Sequence, residues 1–198
     1  MDNEKDRRYE AQQGLPPEVL IESLFLAADA GDADKVTARL KQGADQNWQN
    51  DGGQTALMWA AKAGHDNVVR TLLENGANPN IIDREGRTAL TLAMISSRDH
   101  ARGDPLSPND GAKRAVRLLL ENGADPNLGV PGEMPPLHSA AYRGETDVVK
   151  LLLEKGANPT MRIENLSAED FANRQSRKEL VEILRVAKQK WEQANKQF

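Results

Sequence analysis

The stretch that decides the fold runs Gly53-Gln54-Thr55-Ala56-Leu57-Met58-Trp59-Ala60-Ala61-Lys62-Ala63-Gly64-His65, and continues Val68-Val69-Arg70-Thr71-Leu72-Leu73-Glu74-Asn75-Gly76-Ala77. Thr55 is a natural helix N-cap, because its hydroxyl can accept from a free backbone N–H. Leu57, Ala60 and Ala61 then form an apolar face at helical spacing. Gly64 suits the left-handed residue that ends a helix. Val68, Val69, Leu72 and Leu73 make a second apolar face, which Gly76 ends. Asn78-Pro79-Asn80 and Asp83-Arg84-Glu85-Gly86 follow as turn chemistry. One unit is therefore two short antiparallel helices and a projecting loop.

The closing phrase recurs. Gly43-Ala44-Asp45, Gly76-Ala77-Asn78-Pro79-Asn80, Gly123-Ala124-Asp125-Pro126-Asn127 and Gly156-Ala157-Asn158-Pro159 have glycines 33, 47 and 33 residues apart. Self-similarity at that period means stacked supersecondary units. The third copy of the opening phrase is Gly86-Arg87-Thr88-Ala89-Leu90-Thr91-Leu92-Ala93. The fourth is Pro135-Pro136-Leu137-His138-Ser139-Ala140-Ala141-Tyr142-Arg143-Gly144, with Pro135 in place of the capping Thr.

These phrases closely resemble the ankyrin repeat, over about residues 18–186. The fold expected is all-α: an ankyrin-repeat solenoid of stacked helix-turn-helix units with projecting loop or β-hairpin fingers. Repeats fall at about 18–49, 50–82, 83–129, 130–162 and 163–186. Both ends are degenerate, as terminal units must cap the core with a polar face. Glu169 stands where the family has an inward apolar residue, so the first helix of the last unit is expected to be exposed or displaced. Residues 1–14 are polar and read as a flexible segment.

The 47-residue interval carries a surplus of 14 over the period. Thr88 and Gly123 keep their registers, so the surplus lies at about 97–112, expected to be a surface loop between the paired helices. From Pro108 and Asn109 or Asp110 a second helix is launched, with Val116, Leu119 and Leu120 on its face. The insertion is either a tolerated elongation, since loop closure cost grows slowly with length, or a partner-contact loop.

At the C-terminus, Leu180, Leu184, Ala187 and Trp191 continue one helical face, so 187–198 reads as a helix extension that caps the stack. Residues 174–196 hold seven basic and three acidic side chains, a net of +4. The whole chain is −4, so the remainder carries −8. A basic helix of this kind can also meet nucleic acid or anionic lipid.

No catalytic spacing is present: no Gly-rich phosphate loop, no His-Glu-x-x-His, no Gly-x-Ser-x-Gly. Cysteine is absent, which excludes disulfides and thiolate metal sites. His65 and His138 fall where the resemblance implies turn hydrogen bonding. Neither enzymatic activity nor a cofactor or metal is expected. The N-terminal residues lack the apolar run of a secretory signal, and no apolar run reaches membrane-spanning length. The expectation is a cytoplasmic protein, monomeric by itself, with no membrane insertion and no nucleic-acid partner.

The resemblance implies a protein-interaction module whose concave face is built from the finger tips and the ends of the first helices. The positions it marks for an unidentified protein partner are Gln49 and Asp51 on one tip, Ile82, Arg84, Glu85 and Arg87 on the next, and Met134 on the Pro-rich finger. On the first helices it marks Lys62, Tyr142 and Arg143, with Tyr142 and Arg143 as the anchor. Trp59 falls at a packing position, while Trp48 suits either packing or binding. Two other readings remain: an enzyme with a site in the insertion or the Pro-rich finger, and a nucleic-acid or lipid contact through the C-terminal helix.

Overall fold

The computed structural model describes residues 15–99, 109–129 and 134–195. The N-terminal segment 1–14, the centre of the insertion and residues 130–133 of the Pro-rich finger lie outside the described residues. Helices come in pairs: α1 (Pro17–Ala30) with α2 (Ala33–Lys41), α3 (Ala56–Ala63) with α4 (Asp66–Glu74), and α5 (Ala89–Asp99) with α6 (Asn109–Glu121). α7 (Pro136–Arg143) then pairs with α8 (Thr146–Glu154), and α9 (Ala168–Arg174) with α10 (Lys178–Ala194). First helices stack on first helices and second on second, so the pairs form a helical solenoid.

Equivalent positions form continuous rows through the core. Leu24, Leu57, Leu90 and Leu137 make one row, each 2% exposed or less. Val36, Val69, Val116, Val149 and Val181 make a second, and Leu72, Leu119, Leu152 and Leu184 a third. A helix pair alone would leave these side chains in water, so stacking is what makes the pair stable. The rows end in polar residues. Arg39 holds the Leu72 register in the first unit, and its Nε donates to Ser23 Oγ at 2.8 Å. Glu169 holds the Leu137 register in the last. α9 is nevertheless not displaced: Ala168 and Ala172 are fully buried, and α9 packs on α7 and α10. Glu169 lies at the edge, 3.3 Å from Arg185 Nε, so its charge stays paired and partly hydrated.

The recurrent phrase has a bonding role. Asn47 Oδ1 accepts from Asn78 N (2.7 Å) and its Nδ2 donates to the Gly76 carbonyl. Asn80 repeats this with Asp125 N and the Gly123 carbonyl, and Asn127 with Asn158 N and the Gly156 carbonyl. Each asparagine thus binds the backbone of the following unit. Each net bond of this kind is worth about 1 kcal/mol. Thr160 takes the next register and, among the described residues, bonds only within its own turn, to Asn158.

Fingers are mostly loops closed by such turns. In the second, Asn50 N donates to the Gln54 carbonyl, and in the third, Asp83 N to that of Arg87. Arg84 N donates to the Gly52 carbonyl and joins the two. The last finger is a two-residue ladder, β1 (Arg162–Ile163) antiparallel to β2 (Leu166–Ser167). Glu164 and Asn165 turn it with φ of 48° and 66°, the left-handed geometry of a tight hairpin.

The insertion is not simply a loop. Gly31, Gly64 and Gly144 end α1, α3 and α7 in the left-handed region. Ser97 occupies that register in the third unit, and α5 runs on to Asp99. α6 begins at Asn109 and has 13 residues where α4 has nine. Helix therefore takes both flanks of 97–112, leaving 100–108 outside the described residues. The early turn of α6 packs closely on the second unit. A Cβ on Gly111 would run into the Gly64 carbonyl oxygen, and Arg114 pairs with Asp66 at 2.8 Å.

Candidate protein-binding face

The second and third fingers bring several expected contact residues together. Gln49 Nε2 donates to the Gly53 carbonyl at 2.7 Å and reaches the Ile82 carbonyl of the next finger at 3.4 Å. Gln49 therefore also fastens one finger to its neighbour. Ile82 remains 45% exposed, and Asp51, Arg84 and Glu85 are exposed around it. Arg87 is different. Its guanidinium bridges Asp83 at 2.8 Å, and also pairs with Glu85. Asp83 is buried, so Arg87 neutralises a carboxylate inside the finger instead of being offered to solvent.

Lys62 lies at the end of α3 and is exposed. It lines a groove of about 350 Å³ with Asp29, Gln54, Met58, Trp59 and Leu92. Trp59 is half-buried, its Nε1 donates to Gln54 Oε1 at 3.0 Å, and its ring meets Phe25 edge-on at 5.4 Å. That is the packing position expected for it. Trp48 combines both roles: it stands edge-on to Phe25 at 5.7 Å yet stays 43% exposed.

The expected anchor pair divides. Tyr142 is 48% exposed, with its ring edge-on to Phe171 at 6.3 Å. Arg143 does not project outward. Its Nη1 donates to the Met94 carbonyl at 2.8 Å, and its Nη2 pairs with Glu145 at 2.8 Å. Its side chain is only 13% exposed. Register fixed where the helix ends but not which way a long side chain turns, and a carbonyl and a carboxylate stand close enough to draw it in. Tyr142 lines a separate groove of about 700 Å³ with Lys113, Glu145 and Arg177. Met134, beside the undescribed part of its finger, is half-buried.

His138 is buried among these elements. Its Nε2 donates to the Met161 carbonyl at 3.1 Å, which places the proton on that nitrogen. Nδ1 has no donor. Burial pushes its pKa below the ordinary 6.5, against the raising effect of the Met161 carbonyl. His65 Nε2 likewise bonds the Asp29 carbonyl of the preceding unit at 2.9 Å. Both histidines serve backbone joints. Asp170 is held below the usual carboxylate range by the Ser167 N–H and hydroxyl, which complete a capping box at α9.

Among the described residues, no group of three or more His, Asp or Glu is placed to hold a metal ion, and no helix is long and apolar enough to cross a membrane. Sequence comparison decides the family: the model of ankyrin repeats, three copies, matches residues 24–102 and 107–194. The chain belongs to the ankyrin-repeat family. The match spans the insertion on both sides and reaches the end of α10. Ankyrin repeats are general protein–protein interaction modules. No curated protein matches the chain at a significant level.

One region escaped the sequence reading. The sequence reading began the first unit of this ankyrin array at about residue 18 without giving its first helix bounds; α1 runs Pro17–Ala30. Pro17 at the first helical position and Leu20 four residues before Leu24 were the available signals. That longer helix brings Ile21, Phe25 and Trp48 into one groove.

Proposed function

We propose that this ankyrin-repeat chain is a cytoplasmic scaffold, adaptor or inhibitor that binds one protein partner on the face made by its finger tips and first helices. The observation that supports this most directly is the held exposure of Ile82. A bulky apolar side chain stays 45% exposed on a finger fastened to its neighbour through Gln49 and Arg84. A surface fixed before binding loses little conformational entropy on association, and exposed apolar and aromatic residues on such a surface are typical interface anchors. Lys62, Asp51, Arg84 and Glu85 supply the polar surround, and Tyr142 a second apolar contact along the same series of units.

Affinity capture with mass spectrometry would identify the partner, and titration of the purified pair would test the face. Ile82→Ala and Tyr142→Ala are each expected to weaken binding about tenfold or more while leaving the unfolding midpoint nearly unchanged. Lys150→Ala and Glu154→Ala, on the second-helix side, are expected to do little. Loss of binding from the α8 changes, with Ile82→Ala and Tyr142→Ala silent, would overturn the assignment.

A further inference from the structure

The N-terminal end of the array is built as a receptacle. α1 has 14 residues where α3 and α7 have eight. Its extra first turns stand beside the loop that leads from α2 into the second finger, residues 42–50, and enclose a groove of about 700 Å³. The lining is mainly apolar, with Ile21, Phe25, Trp48 and Trp59 at its centre. Phe25 meets both indoles edge-on, so the aromatic surface is held in place before anything binds. The indole N–H of Trp59 is already used by Gln54. That of Trp48 makes no hydrogen bond among the described residues and is free to donate to an incoming carbonyl.

The charge around this groove has one sign. Its charged lining residues are Glu18, Glu22 and Asp45, with no basic residue among the described lining. All three are exposed. Glu18 and Glu22 make no ion pair among the described residues.

We propose that this groove seats a segment of a partner protein that carries a bulky apolar side chain flanked by Lys or Arg. The proposal rests on the protein-binding reading above and adds the chemistry of the partner. The apolar side chain would cover Ile21 and the exposed edge of Trp48. The flanking cations would pair with Glu18 and Glu22, which make no ion pair among the described residues, and would also lie over an indole face. An acidic segment is disfavoured by like charge on the rim. No other described groove combines an exposed, fixed aromatic surface with a rim of one sign.

The test uses the full chain and two labelled synthetic peptides read by fluorescence anisotropy. Both have a leucine–phenylalanine–leucine centre; one is flanked by Lys and Arg, the other by Glu. The basic peptide is expected to bind, with affinity that falls as salt rises, and the acidic one at least about tenfold more weakly. The double change Glu18→Lys with Glu22→Lys should weaken the basic peptide about tenfold or more, and Lys150→Ala should not. Trp48→Ala should also weaken it; because that change removes packing on Phe25, the exposed charge reversals carry the decision. Equal binding of both peptides, or affinity indifferent to the reversal, overturns the proposal. So does a full chain that sediments as a dimer which the reversal dissociates, since a second copy then fills the groove. Once the natural partner is in hand, binding that survives the reversal but fails at Tyr142→Ala sinks the groove alone and leaves the finger-face reading standing.

Discussion

The second and third units have the same core and different turns. Leu57 and Leu90, Val69 and Val116, and Leu72 and Leu119 match in register and are all 2% exposed or less. Thr55 and Thr88 both accept at the start of their first helix, from Met58 N and Thr91 N. The units part at one residue. Gly64 stops α3 with φ of 76°, whereas Ser97 has a Cβ that makes this conformation costly, and α5 continues. The difference teaches that stacking fixes the inward rows while the turn between paired helices is free to change. An elongation there leaves the inward rows buried, and its entropic cost rises only slowly with length.

The largest effects should be the ones the two units share. Leu72→Ala and Leu119→Ala are each expected to cost about 2–5 kcal/mol in a denaturant titration, as for a large buried aliphatic. A much smaller loss at Leu119 would break the comparison, because it would mean that the interrupted unit is loosely packed.

Next comes the contact peculiar to the third unit. Gly111→Ala places a methyl group against the Gly64 carbonyl and is expected to cost about 1–3 kcal/mol by overpacking. An unchanged melting temperature would show that the N-terminal turn of α6 is not held there.

The joint between the units is smaller again. Asn80→Ala removes two bonds to the backbone that follows α6. It is expected to cost about 1–2 kcal/mol. Asn47→Ala, at the joint before the second unit, should cost about the same if the elongated turn does not disturb the series.

The finest distinction is in pH. One buried register carries Met58 in the second unit, Thr91 in the third and His138 in the fourth, 1%, 9% and 1% exposed. Only His138 titrates, and burial lowers its pKa in the folded chain. The unfolded chain takes up the proton first. Its contribution to stability is therefore complete above the ordinary value of 6.5 and is lost as pH falls below it. His138→Met, the residue of the second unit, should flatten the loss of stability as pH falls below 6.5. Asp170, also lowered, contributes above 3.8 and acts only in stronger acid. A slope that survives His138→Met would place the sensitive group elsewhere.

The pairs of helices, the caps and the apolar rows were legible because each depends on neighbours three or four residues apart. The exposure of the candidate face was legible in part. Ile82 and Tyr142 are exposed where the register put them, since position on a loop tip or helix end sets exposure for a short reach. Arg87 and Arg143 turn inward for one reason. A long cation takes the best acceptors within about its own length, and those of Arg143 include a carbonyl 49 residues away.

By itself the sequence determined the period, the family, the place of the insertion and the inward face of each helix. These follow from local spacing and from residues that only certain backbone conformations accept. Tertiary structure decided how the insertion is divided between helix and the residues beyond, why Glu169 does not displace α9, and that α1 and the loop leading into the second finger enclose a groove with an acidic rim. Each of these turns on side chains brought together from different units, whose distances no local pattern encodes.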